Sequence, residues 1–529
     1  MAALVIAAGV GTGLGVTVSG RSQTGHRLIT IGPHDPLIAA TEAQRRPAGA
    51  PIESVTLTAA PTTIHLDGRA VNTWAFNGTV PGPQIRVRAG QVLRATVINR
   101  LPAPLTIHWH GIALRNDMDG VPGLTQPAIQ PGRQYTYQFT VSDPGTFFYH
   151  SHVGTQLDTG LYGPLIVDPS TGRPSQPDLT LMLDDWIDGT GTTPDQVLAQ
   201  LKSMGGMRMG GMGGMTSNAT PPSTSSSGMS AMSDMSNMGN SSPTSSGMSD
   251  LPGMTGTASS NSPLGADTGD VRYPYYLING RPGTDPATYS VTPGGTVRLR
   301  IVNAGSDTAF RVAFAGAPMT VVATDGNPVE AVTVDTLIIG MGERYDVDVT
   351  VPGSGVYPLV AAAEGKDAQA LAVLRSGPGP APAPDVVVPA LAGRLLILSD
   401  LHATPADALS ARTPDVTYRL ALTGNMMTYR WGIDAPKQGG ATLAVRVGQR
   451  VRLVLENDTS MWHPIHLHGH SFQVVTGSTP GPVKDTVIVA PMTTVTIDVQ
   501  ANNPGQWLLH CHNIYHAEAG MITTLSYVK

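Results

Sequence analysis

The stretch His510-Cys511-His512, followed by His516 and Met521, places imidazole, thiolate and thioether groups close together in the chain. Successive side chains of an extended strand point to opposite faces, so Cys511 would face one way and its two histidine neighbours the other. On the cysteine face, the thiolate, His516 and Met521 supply three of the four ligands of a blue-copper centre. On the other face, two imidazoles could bind a second metal site. One tripeptide could therefore serve two metal sites.

Three further His-x-His pairs occur in the chain. They are His108/His110, His150/His152 and His466/His468, and the last pair follows His463 by three residues. A lone His-x-His pair usually marks a strand with two solvated imidazoles. Here the four His-x-His pairs, with the adjacent His463 and His516, contain ten of the fifteen histidines, which favours a shared metal centre over chance.

These blocks resemble those of the multicopper oxidases, the family of laccases, ascorbate oxidase and bacterial cuprous oxidases. The four blocks occur in family order, as His108-Trp109-His110-Gly111, His150-Ser151-His152, His463-Pro464-Ile465-His466-Leu467-His468-Gly469 and the segment from His510 to Met521. The resemblance implies an all-β chain of three consecutive cupredoxin-like Greek-key β-barrel domains. It also implies an oxidase with four copper ions and no organic cofactor, which reduces O2 to water.

The resemblance assigns each ligand by position. The type 1 copper would take His463, Cys511, His516 and a weak axial Met521. The type 2 copper would take His108 and His466. The two type 3 coppers would take His110, His150 and His512 on one side and His152, His468 and His510 on the other. The first and third domains would each give four histidines to this trinuclear cluster, so copper loading would lock them together.

Carboxylates are needed near the cluster to supply protons. Asp119, nine residues after His110, lies where the resembling bacterial oxidases keep such a group, although it could simply be a turn residue before Gly120. Several relatives have Glu directly after the ligand that corresponds to His516, whereas this chain has Ala517 and then Glu518. The proton-donating carboxylate is therefore left open between Asp119 and Glu518. Asp485 is a candidate partner for a ligating imidazole, or caps a turn.

Length and composition agree with a multidomain β protein. A chain of 529 residues is too long for one ordinary domain. Its 61 glycines, 44 prolines and only 13% charged residues are typical of short strands joined by turns. A net charge of −6 without a Lys/Arg run excludes nucleic acid as a partner, because phosphate binding needs a concentrated basic surface. The single cysteine can form no internal disulfide, and its neighbours indicate metal binding.

A repeated strand pattern indicates three copies of one β unit. Segments beginning at Gly90, Gly294 and Gly448 each end in an asparagine nine residues later. The predicted domains span residues 50–170, 171–378 and 379–529. The first interval between repeats exceeds the second by about fifty residues, which predicts an insertion in the second domain.

The Ser/Gly/Met tract from Met204 to Met254 accounts for that excess, and the whole insertion is placed at residues 204–264. It has no hydrophobic periodicity, so it is predicted to be disordered. It holds eleven of the 21 methionines. Because thioether sulfur is a soft ligand that selects Cu(I), the tract is predicted to capture Cu(I), with a bystander linker as the alternative. The second domain has no His-x-His pair and is expected to act mainly as a spacer.

Residues 1–20 are apolar and uncharged, and resemble the apolar part of an export signal. This predicts a periplasmic, cell-surface or secreted protein. A membrane anchor is the alternative, although five glycines make a poor spanning helix.

Three functions fit these features. The first is a cuprous oxidase with phenols as additional substrates and a role in copper detoxification. It is favoured by Met461, which matches a methionine near the type 1 site of bacterial cuprous oxidases, although Thr459 stands where an acidic residue is expected. The second is a laccase for organic phenols. The third is a copper-storage or structural protein of the same fold, which the complete ligand set disfavours.

Overall fold

The computed structural model describes residues 28–172, 176–210, 262–477 and 479–529. The predicted export signal at 1–20 and residues 211–261 of the predicted insertion lie outside the described residues. Among the helices that are described, none is long and apolar enough to cross a membrane.

Short strands form most of the fold, in three consecutive groups. The first group is β1 (Ile52–Leu66), β2 (Arg69–Phe76), β3 (Ile85–Arg88), β4 (Val92–Asn99), β5 (Ile107–His110), β6 (Gln134–Thr140), β7 (Gly145–Ser151) and β8 (Tyr162–Asp168). The second is β9 (Asp178–Trp186), β10 (Tyr275–Ile278), β11 (Arg281–Pro282), β12 (Ala287–Ser290), β13 (Thr296–Asn303), β14 (Phe310–Phe314), β15 (Met319–Thr324), β16 (Asn327–Val334), β17 (Thr336–Ile339), β18 (Arg344–Thr350), β19 (Val356–Ala363) and β20 (Gln369–Arg375). The third is β21 (Val416–Asn425), β22 (Arg430–Asp434), β23 (Lys437–Gln438), β24 (Ala441–Thr442), β25 (Ala444–Val445), β26 (Arg450–Asn457), β27 (His463–Leu467), β28 (Phe472–Val475), β29 (Pro480–Lys484), β30 (Thr486–Val489), β31 (Thr494–Gln500), β32 (Gln506–Cys511) and β33 (Ile522–Tyr527).

Helices are few in the described residues. The α-helices are α1 (Pro36–Arg45), α2 (Pro194–Gly210) and α3 (Ile514–Glu518), and short 3-10 helices span Asn116–Met118, Gln156–Asp158, Pro389–Ala392 and Leu398–Asp400.

Each group of strands forms two sheets with a core between them. The sheet orders are β2-β1-β4-β6 and β3-β8-β7-β5 in the first group, β11-β10-β9-β13-β18-β15-β16 and β12-β20-β19-β14-β17 in the second, and β22-β21-β26-β31-β28-β29 and β25-β33-β32-β27-β30 in the third, with β23-β24 as a separate ribbon. The prediction of an all-β chain with three cupredoxin-like domains is confirmed.

The repeated sequence pattern forms the same strand in each domain. Strands β4, β13 and β26 each pair in parallel with the first long strand of their domain and antiparallel with a later one. In β4, the side chains of Leu93, Ala95 and Val97 alternate into the core and are fully buried. This alternation is the pattern that the sequence repeats.

The asparagine that ends each repeat has a structural role. The Asn99, Asn303 and Asn457 side chains are buried, and each amide nitrogen donates to two or more backbone carbonyls of the following loops. Each amide oxygen accepts from the backbone N–H two residues on. In the third domain, one acceptor is the carbonyl of Met461, so Asn457 fixes the start of the loop that leads to His463.

Neighbouring strands bring the histidine blocks together in pairs. In the first domain, β5 pairs with β7, and His108 lies directly opposite His150. In the third domain, β27 pairs with β32, and His466 lies opposite His510. All four blocks are therefore presented by the second sheet of their own domain.

The described ends of the predicted insertion are more regular than the sequence indicates. Helix α2 continues to Gly210, so the backbone at 204–210 is helical rather than disordered. At the other end, Leu264 is buried in a cluster with Met341 and Trp462. The physical reason is tertiary packing: Val197 and Leu201 anchor α2 in the main core, and Met204 packs against it.

Candidate metal centres

Three ligand atoms converge beneath helix α3. The Nδ1 atoms of His463 and His516 are 3.2 Å apart, and the Sγ atom of Cys511 lies 3.8 Å and 3.7 Å from them. A triangle with these edges has its centre about 2 Å from each corner, which is a metal–nitrogen bond length. Two imidazoles and one thiolate in a trigonal arrangement are the ligands of a blue-copper site.

Met521 is brought to the same site by its backbone. Its carbonyl accepts from the Cys511 N–H at 3.0 Å, and its own N–H donates to the His516 carbonyl at 3.0 Å. The Met521 side chain is fully buried. The structure thus gathers all four residues that the resemblance assigns to the type 1 copper.

The outer nitrogens of the two imidazoles also have partners. His516 Nε2 lies 3.0 Å from the Asp270 carboxylate, and His463 Nε2 lies 2.9 Å from the Thr459 hydroxyl. The Trp431 ring packs on His516, with ring centroids 4.2 Å apart. Burial lowers the pKa of His516, but Asp270 and Cys511 outweigh it and raise the pKa to about 10. In the metal-free protein, copper must therefore displace a proton from this ring.

Eight histidines from the first and third domains form the second centre. Three groups have ligand atoms within 4.8 Å of one another: His108 with His110 and His466, His110 with His150 and His512, and His152 with His468 and His510. Rings from the two domains interleave, since His108 stacks on His468 at 3.7 Å and His110 on His466 at 3.8 Å. The last two groups have the memberships predicted for the type 3 coppers.

Backbone oxygens fix which nitrogen of a ring faces the centre. The Nδ1 atoms of His108, His466 and His510 donate to carbonyl oxygens at 3.0, 2.9 and 2.8 Å. A carbonyl can only accept, so each of these Nδ1 atoms carries the proton. The other nitrogen, Nε2, is left with its lone pair facing the site.

The resulting arrangement fits metal ions. The Nε2 atoms of His108 and His466 face each other at 3.4 Å, and those of His468 and His510 at 3.0 Å. Two lone pairs at such distances repel unless a cation lies beside them.

The group of His110, His150 and His512 has buried nitrogens without any partner. His110 Nδ1, His150 Nε2 and both nitrogens of His512 make no hydrogen bond. Burial and repulsion from neighbouring histidines hold the pKa of each of these three rings well below the usual value. The rings are therefore neutral at neutral pH, which is the form that binds metal.

Cys511 connects the two centres. Its thiolate belongs to the first centre, and its chain neighbours His510 and His512 belong to the second. Covalent bonds therefore link the His463–Cys511–His516 group to the histidine cluster, as the strand alternation at this tripeptide predicts.

Asp119 lies inside the cluster rather than at the surface. One carboxylate oxygen is 3.0 Å from His468 Nδ1 and the other is 3.2 Å from His108 Nδ1. It is fully buried. The residue therefore touches one ring from the first domain and one from the third.

Glu518 lies on a different side of the cluster. A small cavity of about 30 Å³ extends from His150, His152, His510 and His512 to Glu518. Although Glu518 is exposed, the surrounding protein removes enough water to raise the pKa of its carboxyl group. A carboxyl group at this position could hold a proton between solvent and the cluster.

Met461 is placed in the core, with only 1% of its surface exposed. Thr459, at the position where an acidic residue is expected, donates its hydroxyl to the Met461 carbonyl at 3.1 Å while also contacting His463. The acid that contacts an imidazole of this site is Asp270, which lies against His516.

Two polar residues of the second domain were missed from the sequence. Asp270 contacts His516, and Arg344 binds Asp485 beside His110 and His466. Neither stands in a His-x-His block or at a marked spacing from one, so only the fold reveals them. The expectation that the second domain acts mainly as a spacer is therefore incomplete.

Comparisons with known proteins agree with this geometry. Family models described as multicopper oxidase match residues 58–172, 256–379 and 411–528. The multicopper oxidase MmcO of Mycobacterium tuberculosis is 42% identical over 498 residues, which cover 93% of this chain and 90% of that protein. A copper resistance protein A homolog of Pseudomonas syringae pv. tomato is 30% identical over 557 residues, covering 88% and 90%. Among solved structures, the laccase from Botrytis aclada matches with a TM-score of 0.67 at 25% identity, over 91% of this chain and 88% of that one.

Proposed function

The chain belongs to the multicopper oxidase family and is an oxidoreductase, and from that premise we propose that its main reducing substrate is Cu(I), with phenols as additional substrates. Four bound coppers would supply one-electron acceptance at the type 1 site and four-electron reduction of O2 to water at the trinuclear site. The ligand sets are those assigned above. Oxidising Cu(I) to the less membrane-permeant Cu(II) would serve copper detoxification.

The placement of the two ends of the Met-rich tract carries this proposal. Before the tract, Lys202 of α2 donates to the carbonyl of Glu518 at 2.9 Å, in the short helix that also holds His516. After the tract, the Thr268 carbonyl accepts from the Trp462 indole at 3.1 Å, and Trp462 precedes His463. Both ends are thus fixed beside the two imidazoles of the type 1 site.

Thioethers supplied by a tract whose flanking residues contact this site would favour Cu(I) over other reductants. Sulfur ligands select Cu(I), and methionine adapts to the irregular geometry of a transferring ion. We propose that the tract collects Cu(I) and that Met461, two residues before His463, helps to pass its electron to that imidazole. The similarity to a copper resistance protein supports the same role.

Deleting residues 211–260 tests the proposal while keeping α2 and Leu264. The apparent KM for Cu(I) should rise and copper tolerance should fall, whereas oxidation of a bulky phenol should be equal or faster, because a phenol gains nothing from thioether ligands. A length-matched control replaces the methionines of 211–260 by leucine, which keeps apolar bulk but removes sulfur. It should reproduce the Cu(I) defect.

The outcomes separate the alternatives. Equal loss of both activities would indicate a folding defect. No change in either activity would show that the tract is only a linker, and would favour a laccase for phenols. Cys511→Ser must abolish the blue thiolate-to-copper band and both activities together, because they share one electron route. A copper-storage protein would bind copper but show no oxidase activity even when fully loaded.

We also propose that the protein is exported, on the composition of residues 1–20. Export would place the enzyme where no cytosolic chaperone shields the cell from copper. Fractionation of cells expressing the full chain, with and without residues 1–20, tests this. Recovery of the full chain in the cytosolic fraction would contradict it.

A further inference from the structure

A loop of the second domain forms part of the wall of the histidine cluster. Residues 340–343 connect β17 to β18, which begins at Arg344, and Gly342 has a φ of +84°. A Cβ atom at Gly342 would lie 2.8 Å from the His512 ring and 3.1 Å from the His110 ring. The backbone therefore packs directly on two imidazoles, at a distance that only glycine allows.

Arg344, at the end of this loop, joins all three domains. Its side chain is fully buried. It donates Nη1 and Nη2 to the two carboxylate oxygens of Asp485 at 2.6 and 2.5 Å, a bidentate pair with the third domain. Its Nε donates to the Thr146 carbonyl of the first domain at 3.1 Å. The guanidinium can therefore keep its geometry only while the three domains are docked.

Asp485 in turn touches one imidazole from each side of the cluster. Its carboxylate oxygen Oδ1 lies 3.2 Å from His110 Nε2 and 3.4 Å from His466 Nδ1. Its backbone carbonyl accepts from His466 Nδ1 at 2.9 Å. These contacts occupy the outer nitrogens of the two rings and leave His110 Nδ1 and His466 Nε2 for metal.

We propose that Arg344 is a positioning residue of the trinuclear centre, because its guanidinium holds Asp485 where that carboxylate orients His110 and His466. The second domain is then a working part of the copper site. This inference rests on the proposed ligand assignment, but it is independent of Cu(I) as substrate.

The expected defect is confined to the cluster. Without the guanidinium, the buried Asp485 carboxylate loses its bidentate partner and is no longer held in its position beside the cluster. His110 and His466 then lose their contacts with this carboxylate, and His110 is left with only the Thr486 hydroxyl at 3.2 Å. The contacts of Cys511, His463 and His516 do not involve Arg344 or Asp485. A type 1 site without a complete cluster should result.

Arg344→Met tests this, with Arg300→Met as a matched control. Arg300 is also a nearly buried arginine between the first two domains, where it contacts Asp178, Asp346 and the Thr146 hydroxyl. None of these described contacts involves a histidine. Both variants lose a buried ion pair and a contact with Thr146 of the first domain, but only Arg344→Met loses the ion pair with the carboxylate that touches the cluster.

Copper content and spectra of the purified variants provide the readout. For Arg344→Met, the blue band per chain should stay within twofold of the parent, while the type 2 electron paramagnetic resonance signal falls about tenfold and copper per chain drops. Arg300→Met should keep both signals. Equal type 2 signals in the two variants would overturn the proposal.

Arg344→Lys covers the case in which the methionine variant does not fold. Lysine keeps the charge but not the bidentate contact, so a folded, blue protein with a several-fold weaker or altered type 2 signal is expected. A parent-like signal would refute the positioning role. His466→Ala is the reference variant. If it retains type 2 copper, the ligand assignment itself is wrong. If His466→Ala loses type 2 copper but the Arg344 variants keep it, only the role of Arg344 is overturned.

Discussion

His516 Nε2 lies 3.0 Å from the Oδ2 atom of Asp270, so a carboxylate of the second domain bears directly on an imidazole of the proposed type 1 site. Asp270 is nearly fully buried, and the same oxygen accepts from the Tyr429 hydroxyl at 2.5 Å. A buried negative charge at this distance favours the more positive oxidation state of a bound copper.

Asp270→Asn should therefore raise the type 1 potential, because it removes a charge that stabilises Cu(II). We expect a rise on the order of 60 mV, one tenfold step for a one-electron couple. Redox titration of the blue band measures it. Tyr429→Phe is the opposing variant: it removes a hydrogen bond that offsets the carboxylate charge, so the potential should fall. Shifts in the same direction in both variants would contradict this account.

Met521→Leu should also raise the type 1 potential, because the weak sulfur donor that stabilises Cu(II) is replaced by a hydrocarbon of similar size. The shift should again be on the order of 60 mV or more. The blue band should persist, since Cys511 is untouched. An unchanged or lower potential would show that Met521 only fills the core.

Glu518→Gln should slow reoxidation of the reduced enzyme by O2 by about tenfold or more, because a proton donor at the mouth of the cluster cavity is lost. Anaerobic reduction of the type 1 site should stay unchanged, and stopped-flow absorption separates the two steps. In the parent enzyme, the acid form of Glu518 is the donor, so turnover should fall as pH rises through its raised pKa. That pH dependence should be absent in the variant; if it persists, Asp119 is the better donor.

The copper-free protein should lose stability steeply as pH falls below about 6.5. Seven histidines, all buried except the half-buried His152, have pKa values held well below the usual value by loss of solvent and mutual repulsion: His110, His150, His152, His463, His468, His510 and His512. Unfolding lets these rings take up protons in acid, so their contribution is present above the unfolded-state pKa and lost below it.

Below the unfolded-state pKa, each such ring lowers the free energy of unfolding by roughly 1 kcal/mol for every unit by which the pH falls. His516 acts in the opposite direction, because its raised pKa favours the folded state at low pH. Thermal unfolding of the metal-free and copper-loaded protein at several pH values measures the net effect of these opposing contributions on stability. A metal-free protein as stable at pH 5 as at pH 7.5 would contradict the burial of neutral rings.

The fold and the histidine clustering could be predicted because both depend on short-range chemistry. Strand alternation at His510-Cys511-His512 separates the two centres, and the repeated glycine-to-asparagine pattern marks the strand that each domain repeats. Asp270 and Arg344 could not be predicted, because they reach the copper sites only through the docking of the second domain. The helical backbone at 204–210 was missed for a similar reason: its local composition indicates no structure, but α2 is anchored by tertiary contacts upstream.

The stacked rings of His108 with His468 and of His110 with His466 have a consequence for metal exchange. Extraction of the metal would leave these stacked rings in place, each still in contact with an oxygen on its outer side, and the two domains would stay joined. The metal-free protein would therefore keep its ligands in the arrangement that binds metal. It could be refilled without refolding, and ions of similar size could compete with copper for it, so the metal found in a purified sample would reflect supply as well as affinity.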